Sequence, residues 1–282
     1  MTVSRRAKRF ASDILLHAVL IGVAVYMMLP FLWMLSTSLK PQNQIFTRPP
    51  ILISKDMNLN AYKELIEDRH ILRIVANTFI IATAATALRL FFCSLGGYGF
   101  AKYRFRGREQ MFGLLLATMV IPFSITLIPL YVIMLRLKWI DSFWPLIIPG
   151  AANAFGIFFM RQYISTISDE LLDAARIDGA GEFGIYRRIV LPIIGPGLVS
   201  LGLIFFMGSW NDFLFPLVIL KSPTNFTLPI AIRSMVAGTI GRPVYHLQMA
   251  ASVISIIPLL IIFLIFQRRF TEGITAGAIA GQ

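Results

Sequence analysis

The chain has 282 residues, 57% of them hydrophobic and only 14% charged, where an ordinary soluble domain carries about 25% charged residues. Its net charge of +12 could suggest nucleic acid, but the basic residues cluster at the ends of apolar runs, which points to a membrane and no nucleic-acid partner. A single cysteine, Cys93, excludes a disulfide framework, and the lack of a long polar segment argues for one transmembrane domain spanning 1–282.

In chain order, apolar runs long enough to cross a ~30 Å hydrocarbon core at ~1.5 Å per residue occupy 14–36, 74–95, 111–135, 143–160, 197–219 and 247–266. The expected fold is therefore an all-α integral membrane protein with six transmembrane helices, surrounded by membrane lipid. Arg5, Arg6, Lys8 and Arg9 precede the first run, and Lys102, Arg104, Arg106 and Arg108 follow the second. Arg268 and Arg269 follow the sixth. Positive charge near span ends marks the cytoplasmic side, so both termini are expected there. Ser4-Arg5-Arg6 superficially matches a twin-arginine signal, but Lys8 stands where an apolar residue belongs and no A-x-A site follows. The first run reads as a retained anchor.

This orientation puts loops 37–73, 136–142 and 220–246 outside and 101–110 and 161–196 inside. The first outer loop carries Pro41, Pro49 and Pro50 and then a polar helical stretch over 60–69. The third holds Pro223, Pro229, Pro243, Gly238 and Gly241, a density of breakers that predicts an irregular, shaped loop or a plain connector. Pro30, Pro122, Pro129 and Pro216 interrupt the apolar runs, which requires neighbouring helices or a cavity to satisfy the freed backbone groups. Ala82, Ala84, Ala85, Ala87, Gly96, Gly97 and Gly99 give the second run a surface for close helix packing.

Two charges fall inside runs. Arg89, about fifteen residues into the second, lies ~22 Å from its outer end, near enough to the inner surface to snorkel. Asp212 sits toward the outer end of the fifth run beside Asn211. An unpaired carboxylate there costs at least ~2.5 kcal/mol, so Asp212 is expected either to face a wet cavity or to bind a neighbouring helix. Asn211 and Asp212 are thus candidates for a translocation path.

The inner loop 161–196 is charged and patterned. Ser168 suits a helix N-cap, and Asp169 and Glu170 suit the positive end of the helix dipole. Leu171, Ala174 and Ala175 are expected on one face, with Gly179 as the stop. A second short helix should carry Phe183, Tyr186 and Ile189 on one side, with Pro192 closing it. Two short helices at a membrane surface suggest a docking element for another protein.

Catalysis has no support in the sequence. There is no G-x-x-x-x-G-K-[ST] loop, and Gly97-Tyr98-Gly99 lacks the third glycine of a dinucleotide fingerprint. His17, His70 and His246 are too widely spaced for a metal site, and Gly208-Ser209 lacks the context of a nucleophile elbow.

Asp173-Ala174-Ala175, Gly179 six residues after Asp173, and Ile189, Leu191 and Pro192 from ten residues further on resemble the EAA loop of ABC-importer permeases. Asp173 stands where that family usually has Glu. Ser38-Leu39-Lys40-Pro41, Gly97-Tyr98-Gly99-Phe100-Ala101, Trp210-Asn211-Asp212 and Gly273-Ile274-Thr275-Ala276-Gly277-Ala278 resemble the carbohydrate-uptake permeases of the maltose and glycerol-phosphate type. Ala280-Gly281-Gln282 replaces that group's usual terminal Lys-Gly. The resemblance implies a non-catalytic permease subunit of an ATP-driven sugar importer in a bacterial or archaeal cytoplasmic membrane. Its implied partners are a homologous permease, two ATPase subunits and an extracytoplasmic sugar-binding protein. It implies no cofactor in this chain, with Mg-ATP on the ATPase, and alternating access as the mechanism. It assigns ATPase coupling to Asp173, Ala174, Ala175, Asp178, Gly179, Ile189, Leu191 and Pro192, and contact with the binding protein to the third outer loop. The alternative is a six-span secondary carrier, which would ordinarily show more intramembrane carboxylates for ion coupling.

Overall fold

The computed structural model describes residues 2–237 and 244–279, with side chains described over 13–235 and 244–267. Gly238, Gly241, Pro243 and the tail 280–282 lie outside the described residues, as do the side chains of Arg5, Arg6, Lys8, Arg9, Arg268, Arg269 and the 273–278 motif. The described residues are helical, with no strand among them. The chain divides into two compact units, residues 1–71 with 232–256 and residues 72–231 with 257–282.

In the first unit, helix α1 (Thr2–Ser38) runs unbroken through Pro30. Its apolar stretch is exposed within the chain over residues 13–33, as expected of a helix whose solvent is lipid, and only Ser36, Thr37 and Ser38 at its end are buried. The helix ends where the chain folds back on itself. Lys40 lies over the Trp33 ring at 4.8 Å and donates to the Ile51 carbonyl. The Ser38 and Tyr62 hydroxyls are 2.7 Å apart, which docks α2 (Asn60–Glu67) by its buried Ala61 and Leu65.

The second unit is built on α3 (Ile71–Lys102), whose Ala82, Ala85 and Cys93 are fully buried. Next come α4 (Arg108–Thr118) and α5 (Phe123–Arg136), bent by 95° at Pro122. The run over 143–160 is not one helix. It splits into α6 (Trp144–Ile147) and α7 (Ala154–Ser165), because Pro149 and Gly150 break it and the Asn153 side chain caps the restart by accepting from Gly156 N–H. Further on, α8 (Asp169–Ile177) leads to α9 (Glu182–Ile193), which has a π turn over Tyr186–Val190, and then to α10 (Gly195–Trp210), bent from α9 by 77°. Pro192 sits inside α9 rather than closing it, and the chain turns at Ile194, ahead of Pro196. The fifth run is likewise broken between α10 and α11 (Leu214–Ile219).

Helices α12 (Leu228–Ala237) and α13 (Tyr245–Ile279) complete the chain. By length and composition, Asp13–Ser38, Ile71–Lys102 and Tyr245–Gln267 are each able to cross a membrane, and the spans number up to five if each bent pair is one.

Close packing in the second unit depends on Gly97. A Cβ there would stand 2.5 Å from Met160 Cβ on α7, so only hydrogen lets the two backbones meet. Gly99, by contrast, faces open space.

Candidate functional site

The hairpin α8–α9 is held by charges. Ser168 occupies the expected extended N-cap position, yet its hydroxyl makes no capping bond. Asp169 instead binds Lys102 Nζ at 2.7 Å, and Lys102, almost buried, also donates to the Ile167 carbonyl. That ammonium holds the Asp169 carboxyl below its ordinary range. At the other end of α8, Asp178 is the C-cap and Gly179 adopts φ +82°. A Cβ on Gly179 would touch nothing, so glycine is required there for its backbone conformation and not for space.

Arg176 is the hub. Its guanidinium donates to Asp173 at 2.6 Å and to Glu182 at 2.8 Å, and Glu182 followed by Asp173 raises its pKa further. Glu182 also accepts from the Tyr103 hydroxyl at 2.6 Å and the Tyr98 hydroxyl at 3.4 Å. The hairpin is thereby pinned to the inner end of α3, and the buried Ser94–Tyr186 hydroxyl contact of 2.7 Å adds a second tie.

Each helix of the hairpin turns one side inward. Leu172 is the buried residue of α8, with Ala175 packed beside it, while Leu171 and Ala174 point outward. On α9 the buried stripe is Ile185, Tyr186 and Val190, with Ile189 and Leu191 half-buried, whereas Phe183 and Pro192 are exposed. The exposed side therefore presents Leu171, Ala174, Ile177 (86% exposed) and Phe183 (66%), an apolar patch on a charged element.

A second candidate lies within the bent helices. A cavity of about 440 Å³ is lined by Arg89, Asp212, Gly150, Thr126, Phe123 and Phe215, among others. Arg89 is turned into this cavity. Its guanidinium lies against Gly150, where a Cβ would be 2.8 Å from Nη2, and 5.7 Å from the centre of the Phe205 ring. The Arg89 Nε is buried with no hydrogen-bond partner among the described residues. The Asp212 carboxylate accepts backbone hydrogen bonds at the start of α11, from Leu214 and Phe215 among others, and is within electrostatic reach of Arg89. Asn211 does not line the cavity. It ends α10, with its amide donating to the Met207 carbonyl at 2.9 Å.

Sequence reading missed a third feature. Asp141, at φ +61°, accepts from the Lys221 and Ser222 amides at 2.9 and 3.0 Å, from the Ser222 hydroxyl and from the Asn225 amide. These donors, the Ser222 hydroxyl first, hold its carboxyl down to about 2. Loop 136–142 is thus tied to the start of loop 220–246. Partners eighty residues apart leave no local signature that could have revealed the tie.

Residues 93–276 match the family described as "Binding-protein-dependent transport system inner membrane component". The chain is 34% identical over 280 residues to the arabinooligosaccharides transport system permease protein AraQ of Halalkalibacterium halodurans, covering 97% of this chain and 100% of that one. It is 36% identical to AraQ of Bacillus subtilis, covering 89% and 90% of the two chains. It is 30% identical to the lactose transport system permease protein LacG of Rhizobium radiobacter, covering 94% and 96%. A solved bacterial ABC transporter involved in import of the acidic polysaccharide alginate aligns with a TM-score of 0.80 and 25% identity over 94% of this chain and 98% of that chain.

Proposed function

We propose that this chain, which belongs to the family of binding-protein-dependent transport system inner membrane components, couples ATP hydrolysis on separate subunits to sugar entry by alternating access. It is a non-catalytic permease subunit of an ABC importer, and the ion-coupled carrier reading is not favoured. In the proposed assembly it pairs with a homologous permease, both permeases rest on two ATPase subunits that hold Mg-ATP, and an extracytoplasmic binding protein delivers a sugar. The chain forms one permease domain with six spans and both termini in the cytoplasm. The bent pairs count as spans in this arrangement, and the broken 143–160 segment completes the number.

The observation that carries the reading is the hairpin itself. Its inner face is locked to α3 through Glu182, Tyr103 and Tyr98, while Leu171, Ala174 and Ile177 are left exposed on α8. An ATPase that receives this patch moves α3 with it, because the lock is short and polar. Asp173, Ala174, Ala175, Asp178 and Gly179 shape the docking helix. Ile189, Leu191 and Pro192 carry the motion into the bend before α10. Loop 220–246 faces the binding protein, and Asp212 lies on the translocation path.

The test is an importer reconstituted with all its subunits. Ala174→Arg places a long cation in the patch, and Gly179→Val puts a β-branched residue at positive φ, a conformation that costs even simple L-residues ~1–2 kcal/mol. Each should leave membrane level unchanged and abolish both ATPase co-purification and sugar uptake. Normal uptake by both variants would sink the coupling role.

A further inference from the structure

The cavity between the bent helices is chemically unusual. It holds one cation and one anion that are not themselves in a direct ion pair, and the Arg89 Nε has no partner among the described residues. A buried N–H with no partner costs free energy unless something satisfies it. Gly150 makes room for this arrangement, since a Cβ there would stand 2.8 Å from Arg89 Nη2 and displace the guanidinium.

We infer that this cavity binds one neutral glycosyl unit of the imported substrate, with Arg89 donating to ring hydroxyls and Asp212 accepting from them. The inference rests on the importer reading above and names the class of ligand for this chain's share of the path. A hydroxyl both donates and accepts, so a pair of hydroxyls on one ring satisfies a guanidinium and a carboxylate together. A carboxylate ligand gains from Arg89 and is repelled by Asp212, and neither effect is well screened in a low-dielectric cavity. Because the two side chains carry no net charge together, an acidic sugar has no net electrostatic advantage while still paying for desolvation. Three backbone bonds at the start of α11, from Phe213, Leu214 and Phe215, still leave the Asp212 carboxylate room to accept another hydrogen bond. Phe123 and Phe215, their rings 5.7 Å apart and edge to face, supply an apolar wall for the carbon face of a sugar. The cavity volume of about 440 Å³ lies within the range of small-ligand sites.

The experiment is calorimetric titration of the purified permease–ATPase complex without binding protein, so that the binding protein's own selectivity does not enter. The probes are neutral trisaccharides of pentose, hexose and N-acetylhexosamine units, and trigalacturonate. The wild-type complex should bind at least one neutral trisaccharide saturably and more tightly than trigalacturonate. Arg89→Gln should weaken that binding roughly tenfold or more, the scale of losing a charged hydrogen bond. Gly150→Ala should give a smaller loss, since it shifts the guanidinium without removing it. Asp212→Asn keeps a good helix cap but leaves Arg89 unbalanced, so neutral binding should fall and trigalacturonate binding should rise. Co-purification of the ATPase subunits in the wild-type ratio shows that each variant is assembled. Unchanged binding in both Arg89→Gln and Asp212→Asn overturns the inference, as does a wild-type preference for trigalacturonate. No saccharide binding by a complex that still imports sugar with its binding protein also overturns it, while leaving the importer reading intact. A complete importer that takes up no sugar at all overturns the importer reading instead.

Discussion

The α8–α9 hairpin and the cavity between the bent helices both gather charged side chains, and they treat them in opposite ways. In the hairpin Arg176, Asp173 and Glu182 are bonded to one another and to Tyr103, although all are substantially exposed. In the cavity Arg89 and Asp212 are largely removed from water and left unjoined. Water could have satisfied the hairpin's charges at little cost, so their pairing mainly fixes geometry. The Arg89 Nε, buried and without a partner among the described residues, marks a place where a ligand is useful. Paired charge positions an element here, and unpaired charge receives something.

The largest expected effect breaks the paired side of that contrast. Glu182→Ala removes the acceptor shared by Arg176, Tyr103 and Tyr98. Hydrogen exchange over 169–185 should rise, and uptake should fall about tenfold or more with membrane level unchanged, as loss of a charged hydrogen-bond network implies. Glu182→Gln keeps an acceptor for the tyrosines and should recover part of the loss. If exchange stays at the wild-type level in Glu182→Ala, the hairpin is held by its apolar face alone and pairing does not fix its geometry.

A middle-sized effect extends the contrast to the loop around Asp141. Asp141 is another satisfied carboxylate, held down to about 2 from its ordinary 3.8. A depressed carboxyl pKa adds stability that is fully present above about 3.8 and is lost as the pH falls towards about 2. Exchange of the Lys221 and Ser222 amides should therefore be no less protected at pH 5 than at pH 7, once corrected for the intrinsic rate. Asp141→Asn, which mimics the protonated form, should expose them at either pH. Equal protection in the variant would show that Asn225 and the local turn hold the loop without the carboxylate.

How much of this was legible in the residues depended on range. The hairpin's limits were readable from Asp169, Glu170 and Gly179, because dipole and φ requirements are local. Which side of α8 turns inward was not readable: Leu172 is buried while Leu171 and Ala174 point outward, a choice made by Ile164, Ile167 and Ile185 arriving from elsewhere in the chain. The run over 143–160 looked continuous because apolarity alone does not register that Pro149, Gly150 and Asn153 together end one helix and start another. Arg89 was placed by its depth along a straight helix, which gives no hint that Gly150 and Asp212 come to meet it.

The smallest expected effect tests whether a paired charge in the hairpin has any duty beyond geometry. Asp173 stands where the family usually has Glu, and its carboxylate is 63% exposed and bonded to Arg176 three residues on. Exposed helix pairs of this kind contribute only ~0.3–0.5 kcal/mol. Asp173→Glu adds one methylene, keeps the charge and leaves Arg176 within reach, since side chains three or four apart on a helix are neighbours. Thermal stability of the assembled importer should be unchanged within error and uptake should stay within twofold. A loss of fivefold or more would mean that the length of this side chain matters to a surface outside the chain. In that case the Asp173–Arg176 pair seen here is exchanged for a contact with the ATPase during the cycle, and the rule that paired charge only positions would fail at this residue.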